Sequence, residues 1–235
     1  MRALLVQNCE SEGFGLYEAF LRERGVDCLV HHAYRDGAFP DLTGFDLVVA
    51  GGTPLSANSV GEHAFLRAEW ALLERVVRTC IPYLGICFGA QLMARVLGAR
   101  VGRSPTREVG GIEVELTSRG VSSPFLRGFP PRFPAFTWHG EAFGVPRGGR
   151  LLARGTGCPN QAFARGRALG LQFHLETTAG EAAAWADEYE DELAALGRSK
   201  EEVVRECRER EGAMGPLSHR LMDNLLEMAA EGDPG

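Results

Sequence analysis

Short apolar runs alternate with stretches of helical periodicity over the first half of the chain. The runs are four to six residues long and rich in branched apolar side chains, which is typical of buried strands. The stretches between them place apolar residues on one helix face. The expected strands lie at residues 3–6, 26–31 and 47–50, and the expected helices at residues 14–24 and 62–78. This alternation predicts an α/β fold with a mostly parallel, twisted sheet flanked by helices on both faces.

The pattern is less regular in the second half of the chain. Residues 112–116 alternate apolar and acidic side chains and predict a half-exposed strand. Glycine and proline are frequent in residues 118–150, which favours loops between short strands. The apolar runs at residues 162–164 and 169–173 predict a hairpin that turns at residues 165–167.

Amphipathic helices are expected towards the C-terminus. Apolar side chains recur there every three or four residues, and acidic side chains occupy the opposite face of the first helix. The apolar positions are Trp185, Tyr189, Leu193 and Leu196, then Leu217, Leu221 and Leu225. A helix break is expected at residues 212–216. We therefore predict one α/β domain over residues 1–180 and a C-terminal helical extension over residues 181–235 that packs on the same domain.

Composition and charge argue against several classes of protein. The 235 residues are 45% hydrophobic and 24% charged, close to globular averages, so a folded domain with a sizeable core is expected. The net charge of −6 argues against a nucleic-acid partner, because no basic face would offset repulsion from the phosphates. The six cysteines show no paired short spacing, so we expect neither a metal site nor a disulfide framework. No run approaches the roughly 18 apolar residues of a membrane span, and we expect a cytoplasmic protein with no membrane partner.

Residues 82–98 carry the clearest chemical signal. Cys87 follows a short apolar run, is flanked by Gly85 and Gly89, and precedes apolar residues at helical spacing. A strand that turns sharply into a helix between glycines is the geometry of a nucleophile elbow. The glycines would leave room for the strained backbone and for a substrate carbonyl. The helix N-terminus would favour the thiolate, and the N–H of Phe88 is placed to stabilise an oxyanion.

A general base is expected at His174. Residues 170–174 have the pattern of a buried strand, and side chains two apart on a strand point the same way, so His174 and Glu176 should project together. Glu176 would then hold the imidazole in the tautomer that accepts a proton from Cys87. A buried cysteine or a strand histidine taken alone is more often a packing residue. The combination favours a catalytic triad of Cys87, His174 and Glu176.

Several segments together resemble the class I, triad-type glutamine amidotransferases, and they are most similar to the glutaminase domain of GMP synthetases. The matching segments are residues 51–54, 82–92, 107–110, 138–141 and 172–176. The chain departs from the family pattern at Leu175, where the family usually has proline, and at Glu141, where it usually has aspartate. Neither departure removes a group of the triad.

The resemblance implies a flavodoxin-like fold and hydrolysis of the glutamine side-chain amide through a γ-glutamyl thioester on Cys87, with no cofactor. It nominates the N–H of Gly52 as the second oxyanion donor. It also implies that Gln91, Trp138 and His139 bind the substrate. From the residues alone, Gln91 is equally well explained as a solvated helix residue, and residues 138–139 as an ordinary strand end.

Three functions follow as hypotheses. The chain is a glutaminase subunit that delivers ammonia to a separate synthetase, a free-standing γ-glutamyl peptide or amine hydrolase, or a catalytically silent binding module. About sixty residues follow Glu176 and no phosphate-binding loop accompanies them, so a synthetase would be a separate chain. The presence of Cys87, His174 and Glu176 counts against the silent module. Glutamine or a γ-glutamyl compound is the expected substrate.

Overall fold

The computed structural model describes residues 1–231, and this part of the chain contains one nine-stranded sheet. The strands are β1 (Arg2–Gln7), β2 (Asp27–His32), β3 (Leu47–Ala50), β4 (Tyr83–Ile86), β5 (Val101–Leu116), β6 (Arg132–Phe143), β7 (Arg150–Arg154), β8 (Ala162–Arg165) and β9 (Ala168–Leu171). Their order is β2-β1-β3-β4-β9-β8-β7-β5-β6. The first five strands in this order pair in parallel and the remaining pairs are antiparallel. The predicted α/β fold is confirmed, and the parallel part has the strand order of flavodoxin-like sheets.

Helices cover both faces of the parallel part. The α-helices of residues 1–231 are α1 (Gly15–Glu23), α2 (Ala64–Thr79), α3 (Phe88–Val96), α4 (Ser118–Val121), α5 (Ala179–Glu188), α6 (Glu190–Ala195) and α7 (Lys200–Glu231), of which α4 packs instead against the antiparallel strands β5 and β7. Ala3 and Leu5 of β1 share a core with α1, α5 and α7, whereas Leu4 and Val6 share a core with α2 and α3. Because both faces are covered, β3 and β4 are buried along their whole length. This explains why the strands and helices expected in the first half of the chain are correct to within two residues at each end.

The middle of the chain forms a long hairpin that differs from the expectation. β5 and β6 pair along most of their length, with a register shift between Arg103 and Glu108. The short strands expected between loops over residues 118–150 are therefore too short to describe β6, a single strand of 12 residues, and the strand expected at residues 112–116 is only the end of β5. Pro134 is tolerated within β6 because this strand lies at the edge of the sheet.

The C-terminal helices also differ in detail from the expectation. The first expected helix is interrupted at Tyr189, which separates α5 from α6. The break expected at residues 212–216 is absent from α7, although Pro216 lies inside this helix. A proline ring crowds the carbonyl four residues earlier, here that of Gly212. Gly212 and Pro216 are both exposed, so the released carbonyl can bond to water while buried Met214 keeps the helix on the core.

The C-terminal helices share a core with the sheet. α7 packs against α1, α5, β5 and β6, and its side chains belong to the same apolar cluster as those of α1. The division of the chain into residues 1–180 and 181–235 stays a prediction. Within residues 1–231, no helix combines the length and apolar character needed to cross a bilayer.

Candidate active site

Cys87 lies at the turn between β4 and α3, with φ 50° and ψ −105°. Positive φ is rare for a residue with a side chain, so this conformation is strained. A Cβ on Gly85 would lie 2.5 Å from the backbone of Gly89, and a Cβ on Gly89 would lie 2.3 Å from the carbonyl oxygen of Ala50. The two glycines therefore allow α3 to pack directly against β3 and β4.

His174 lies just beyond β9, which ends at Leu171, so the strand expected at residues 169–173 is shorter than predicted. Its position is fixed by the unforeseen strand β6. His174 donates its backbone N–H to the carbonyl of Phe136 over 2.7 Å and accepts from the N–H of Phe136 over 3.1 Å. The imidazole Nδ1 lies 2.5 Å from Oε1 of Glu176, and both side chains are buried. The structure thus brings together the two side chains that were predicted to project together.

Glu176 is held by contacts on three sides. Its Oε2 accepts the backbone N–H of Leu175 over 3.1 Å, a bond that the family's usual proline could not form. Its backbone carbonyl accepts the N–H of Leu16 over 3.0 Å, at the start of α1. Gly15, with φ 43°, approaches that carbonyl so closely that a Cβ would lie 2.3 Å from the oxygen. The N-terminus of α1 therefore fixes the backbone of Glu176, while Leu175 and His174 fix its carboxylate.

The electrostatics of the cluster favour a charged imidazole. Burial lowers the pKa of His174, but the carboxylate of Glu176 and hydrogen bonds with Cys87 and Glu176 outweigh it and hold the pKa well above its ordinary value. Because Nδ1 faces Glu176, Nε2 is the ring atom that meets the Cys87 thiol. Gln172 donates from Nε2 to Sγ of Cys87 over 3.6 Å. This arrangement can pass a proton from the thiol to an imidazole that a carboxylate orients.

Two backbone amides lie close to Cys87. Phe88 is the first residue of α3, so its N–H has no acceptor within the helix. Gly52 follows β3, and a Cβ built on it would lie 3.9 Å from Cβ of Cys87. The carbonyl of Gly51 accepts from Nδ2 of Asn8 over 3.3 Å. Since the C=O and N–H of a trans peptide point in opposite directions, this bond also fixes the direction of the Gly52 N–H.

A buried carboxyl group supports that turn. Nδ2 of Asn8 also lies 3.2 Å from Oε1 of Glu69, which is fully buried in α2. Burial raises the pKa of Glu69 from 4.5 to about 8, against the opposing effect of the Asn8 hydrogen bond. Glu69 is therefore mostly protonated at neutral pH. The turn before Gly52 thus rests on a neutral, hydrogen-bonded pair.

A pocket opens beside Cys87 and His174, and the three residues expected to bind substrate line it. Gln91 is only 4% exposed and donates from Nε2 to the carbonyl of Glu141 over 2.9 Å, so the alternative of a solvated helix residue is wrong. Trp138 places its carbonyl oxygen 3.7 Å from Sγ of Cys87.

His139 reaches the pocket, but its side chain is engaged elsewhere. Nε2 of His139 lies 3.1 Å from Oε2 of Glu108, which also accepts from Nε2 of Gln161 over 2.9 Å. The ligand atoms of Glu108, His139 and Cys158 lie within 4.8 Å of one another, the one such buried trio found in residues 1–231 that could hold a metal ion. The hydrogen bonds from His139 and Gln161 already satisfy Glu108, so this trio is explained as a polar network behind the pocket wall.

Several residues of the pocket were not predicted from the sequence. Glu12, in the loop between β1 and α1, carries no motif and was not singled out. Trp185 and Tyr189 were noted only as members of an apolar stripe, yet both line the pocket. Arg107 lies at its rim in an ion pair with Glu192 of α6, with the closest atoms 2.6 Å apart. The N-terminal loop and α5–α6 therefore complete a pocket whose base is formed by the elbow.

Comparison with known proteins identifies the family. Residues 7–187 match the model of the class-I glutamine amidotransferase family, and the chain belongs to that family. A glutamine amidotransferase-like protein of Salmonella typhimurium, YfeJ, is 31% identical over 183 residues, which cover 76% of this chain and 77% of that protein. A glutamine-hydrolysing GMP synthase subunit from Sulfurisphaera tokodaii is 32% identical over 57% of this chain and 69% of its own length.

Longer relatives and solved structures agree with this assignment. The GMP synthase of Thermomicrobium roseum is 41% identical over 102 residues, and the aligned segment spans only 19% of that synthase. The crystal structure of a glutamine amidotransferase from Thermotoga maritima superimposes with a TM-score of 0.89 at 32% identity and covers 99% of both chains. The resemblance to this family and to the glutaminase part of GMP synthetases is therefore confirmed, and so is the fold.

Proposed function

We propose that the protein hydrolyses the side-chain amide of glutamine, and that Cys87, His174 and Glu176 carry out this reaction. The observation that supports it most is the buried contact series from a strained elbow cysteine to an imidazole held 2.5 Å from a carboxylate. Membership of the class-I glutamine amidotransferase family supports the same reaction.

In this proposal, Nε2 of His174 takes the proton of the Cys87 thiol and the thiolate attacks the γ-carbonyl carbon of glutamine. The N–H groups of Gly52 and Phe88 stabilise the tetrahedral oxyanion. His174 then returns the proton to the nitrogen, the C–N bond breaks and ammonia leaves. Water attacks the remaining γ-glutamyl thioester with His174 as base, and glutamate is released.

The other site residues bind and orient the substrate. Gln91, Trp138 and His139 line the pocket and are proposed to hold the γ-glutamyl group, Gln91 through its side chain and the other two through backbone atoms. Likeness to a separate GMP synthase subunit supports delivery of the ammonia to a synthetase chain. No step requires a cofactor.

A second candidate function is hydrolysis of γ-glutamyl amines or peptides by a free-standing enzyme. The pocket favours it through one observation: beyond the elbow it is lined by side chains from α5, α6 and the β1–α1 loop, so there is a wall for a leaving group larger than ammonia. Both functions use the same acyl transfer, and the silent module is disfavoured because Cys87 and His174 line one pocket and Glu176 lies 2.5 Å from His174.

Release of ammonia from glutamine tests the proposal. We expect turnover by the unaltered protein, and a fall of about a thousandfold or more in kcat for Cys87→Ser. Cys80→Ser is the matched control, because Cys80 is exposed and does not line the pocket. γ-Glutamyl dipeptides assayed in parallel distinguish the two candidate functions. Equal activity of Cys87→Ser and the unaltered protein on every substrate would contradict both.

A further inference from the structure

Three aromatic rings form one wall of the pocket next to His174. The imidazole of His174 meets the ring of Trp185 edge-on, with centroids 5.0 Å apart. Trp138 lies 6.4 Å from Trp185, also edge-on, and 5.7 Å from Tyr189. All of these side chains line the pocket. The faces of aromatic rings carry negative electrostatic potential, and these three rings lie close to the proposed general acid.

A carboxylate completes this wall. Oε1 of Glu12 accepts the hydroxyl hydrogen of Tyr189 over 2.9 Å. Oε2 of Glu12 lies over the backbone of Gly52. A Cβ built on Gly52 would be 2.0 Å from this oxygen and 3.9 Å from Cβ of Cys87. Glu12 is only 8% exposed and lines the same pocket. A nearly buried carboxyl group thus lies beside the proposed oxyanion site.

The wall is held in place before any substrate arrives. Nε1 of Trp185 donates to the carbonyl of Ser11 over 3.0 Å, and the hydroxyls of Ser11 and Tyr189 lie 3.1 Å apart. These bonds tie the loop that carries Glu12 to α5 and to Tyr189. Such a preformed arrangement lowers the entropy lost when a ligand binds.

The charges of the pocket are not balanced by its own side chains. The side chains of the pocket that can carry positive charge are Arg107, His139 and His174, and each already faces a carboxylate, that of Glu192, Glu108 and Glu176 respectively. Glu12 faces none of its own. Burial raises the pKa of Glu12, against the opposing effects of His174 and the Tyr189 hydrogen bond. A negative charge there would also oppose the developing oxyanion, unless the substrate supplies a positive charge.

The aromatic wall lies next to the place where the leaving group of the substrate is expected. His174 must protonate the leaving nitrogen, so the leaving group is expected next to His174, whose imidazole Trp185 borders at 5.0 Å. Gln91, proposed to hold the γ-glutamyl group, contacts Gln172 over 3.3 Å, whereas Glu12 contacts Tyr189 over 2.9 Å.

We propose that Glu12, Trp138, Trp185 and Tyr189 form a subsite for an ammonium group on the leaving amine, so that the preferred substrate is a γ-glutamyl amide of a diamine or polyamine. Aromatic faces combined with a carboxylate bind organic cations in this way. This inference rests on the proposed acyl transfer and names its substrate class. The amide C–N bond breaks after the C–S bond to Cys87 has formed, the thiol proton passes through His174 to the departing nitrogen, and water hydrolyses the thioester to glutamate.

A series of γ-glutamyl amides of similar length tests the subsite. The probes are the amides of 1,4-diaminobutane, of butylamine and of 4-aminobutyrate, whose far ends are cationic, neutral and anionic. For the unaltered protein we expect kcat/KM for the cationic amide to exceed that for the butylamide by about tenfold or more, and the anionic amide to be the poorest substrate. This comparison needs no variant to fold.

Glu12→Gln then assigns the preference to one residue. The ratio of kcat/KM between the cationic amide and the butylamide should fall to about one third of its original value or less, whereas a general structural defect would lower both values and keep the ratio. Glu10→Gln, two residues earlier on the same loop, is the matched control and should keep the ratio. Equal kcat/KM for the two amides in the unaltered protein, or an unchanged ratio in Glu12→Gln, would overturn the subsite. Hydrolysis of the butylamide or glutamine without a cation preference would leave the proposed acyl transfer intact, whereas no hydrolysis of any amide would count against both.

Discussion

Cys87 has a conformation that most residues avoid, and the fold holds it there. Its φ of 50° is one of two positive values at non-glycine positions in residues 1–231, the other being at Cys80. The strand ahead of it is buried between two layers of helices, and Gly85 and Gly89 let α3 pack directly onto that strand. The strain is therefore maintained by packing around the elbow, and it turns the thiol towards the pocket.

Replacing Cys87 by glycine and by alanine separates this strain from the chemistry. Both variants lose the thiol, but only glycine relieves the positive φ, so we expect Cys87→Gly to exceed Cys87→Ala in free energy of unfolding by about 1 kcal/mol. Urea unfolding measures the difference. Cys28 of β2 has no positive φ and serves as control, where alanine should be the more stable replacement. A Cys87→Ala variant as stable as Cys87→Gly would contradict the strain.

Glu69 should make stability depend on pH. Between pH 4.5 and about 8 the folded protein keeps a proton on this carboxyl group that the unfolded chain has released. More protons are bound in the folded state, so this group makes the free energy of unfolding fall as pH rises, by about 1.4 kcal/mol per pH unit within that window.

Glu69→Gln removes this titration and keeps an oxygen for Asn8. The stability of Glu69→Gln relative to the unaltered protein should therefore increase between about pH 5.5 and about pH 7.5. Urea unfolding at the two pH values measures it, with Glu74→Gln as control, because Glu74 is exposed on the same helix. If the difference between Glu69→Gln and the unaltered protein did not change with pH, the buried carboxyl group would not be protonated as described.

Among the helices and strands, those that are buried were the easiest to predict from the sequence. β3 and β4 are covered on both faces, so each is a continuous apolar run that the sequence displays directly. β6 was missed because it lies at the edge of the sheet, where Pro134 is tolerated and the usual strand pattern is weaker. The break expected in α7 was wrong because packing of buried residues outweighs the local effect of Pro216.

A substitution in α7 tests whether this helix is an integral part of the core. Leu221 is fully buried against the sheet, so Leu221→Ala should lower the free energy of unfolding by about 2–5 kcal/mol. Leu196 is 36% exposed, and Leu196→Ala should lower it by less than about 1 kcal/mol. Denaturant unfolding followed by circular dichroism compares them. Small and equal losses would mean that α7 contributes little to the core.

At the scale of the whole molecule, the candidate site combines local motifs with distant segments. Cys87, His174 and Glu176 could be named from the sequence because each lies in a short pattern with a geometric meaning. Glu12 and Tyr189 could not, since they are 177 residues apart and meet only after the chain has folded. The residues proposed to carry out acyl transfer could therefore be named from the sequence. The pocket walls that are proposed to determine substrate specificity could be identified only from the structure.

The reactivities of the cysteines should differ sharply in the folded molecule. Burial raises the pKa of Cys9 to about 11 and that of Cys207 to about 12, with nearby carboxylates adding to the effect. Burial also raises the pKa of Cys28 and Cys158. These thiols are therefore poor nucleophiles at neutral pH.

Covalent labelling by a diazo-ketone analogue of glutamine shows whether Cys87 is the nucleophile of a γ-glutamyl transfer. Peptide mass spectrometry of the folded, unaltered protein should find one modified residue, Cys87, and an excess of glutamine should protect it. Cys80→Ser should be labelled as the unaltered protein is, because Cys80 is exposed but lies outside the pocket. Cys87→Ser should remain unmodified. Labelling that persists in Cys87→Ser, or that glutamine does not prevent, would contradict the account.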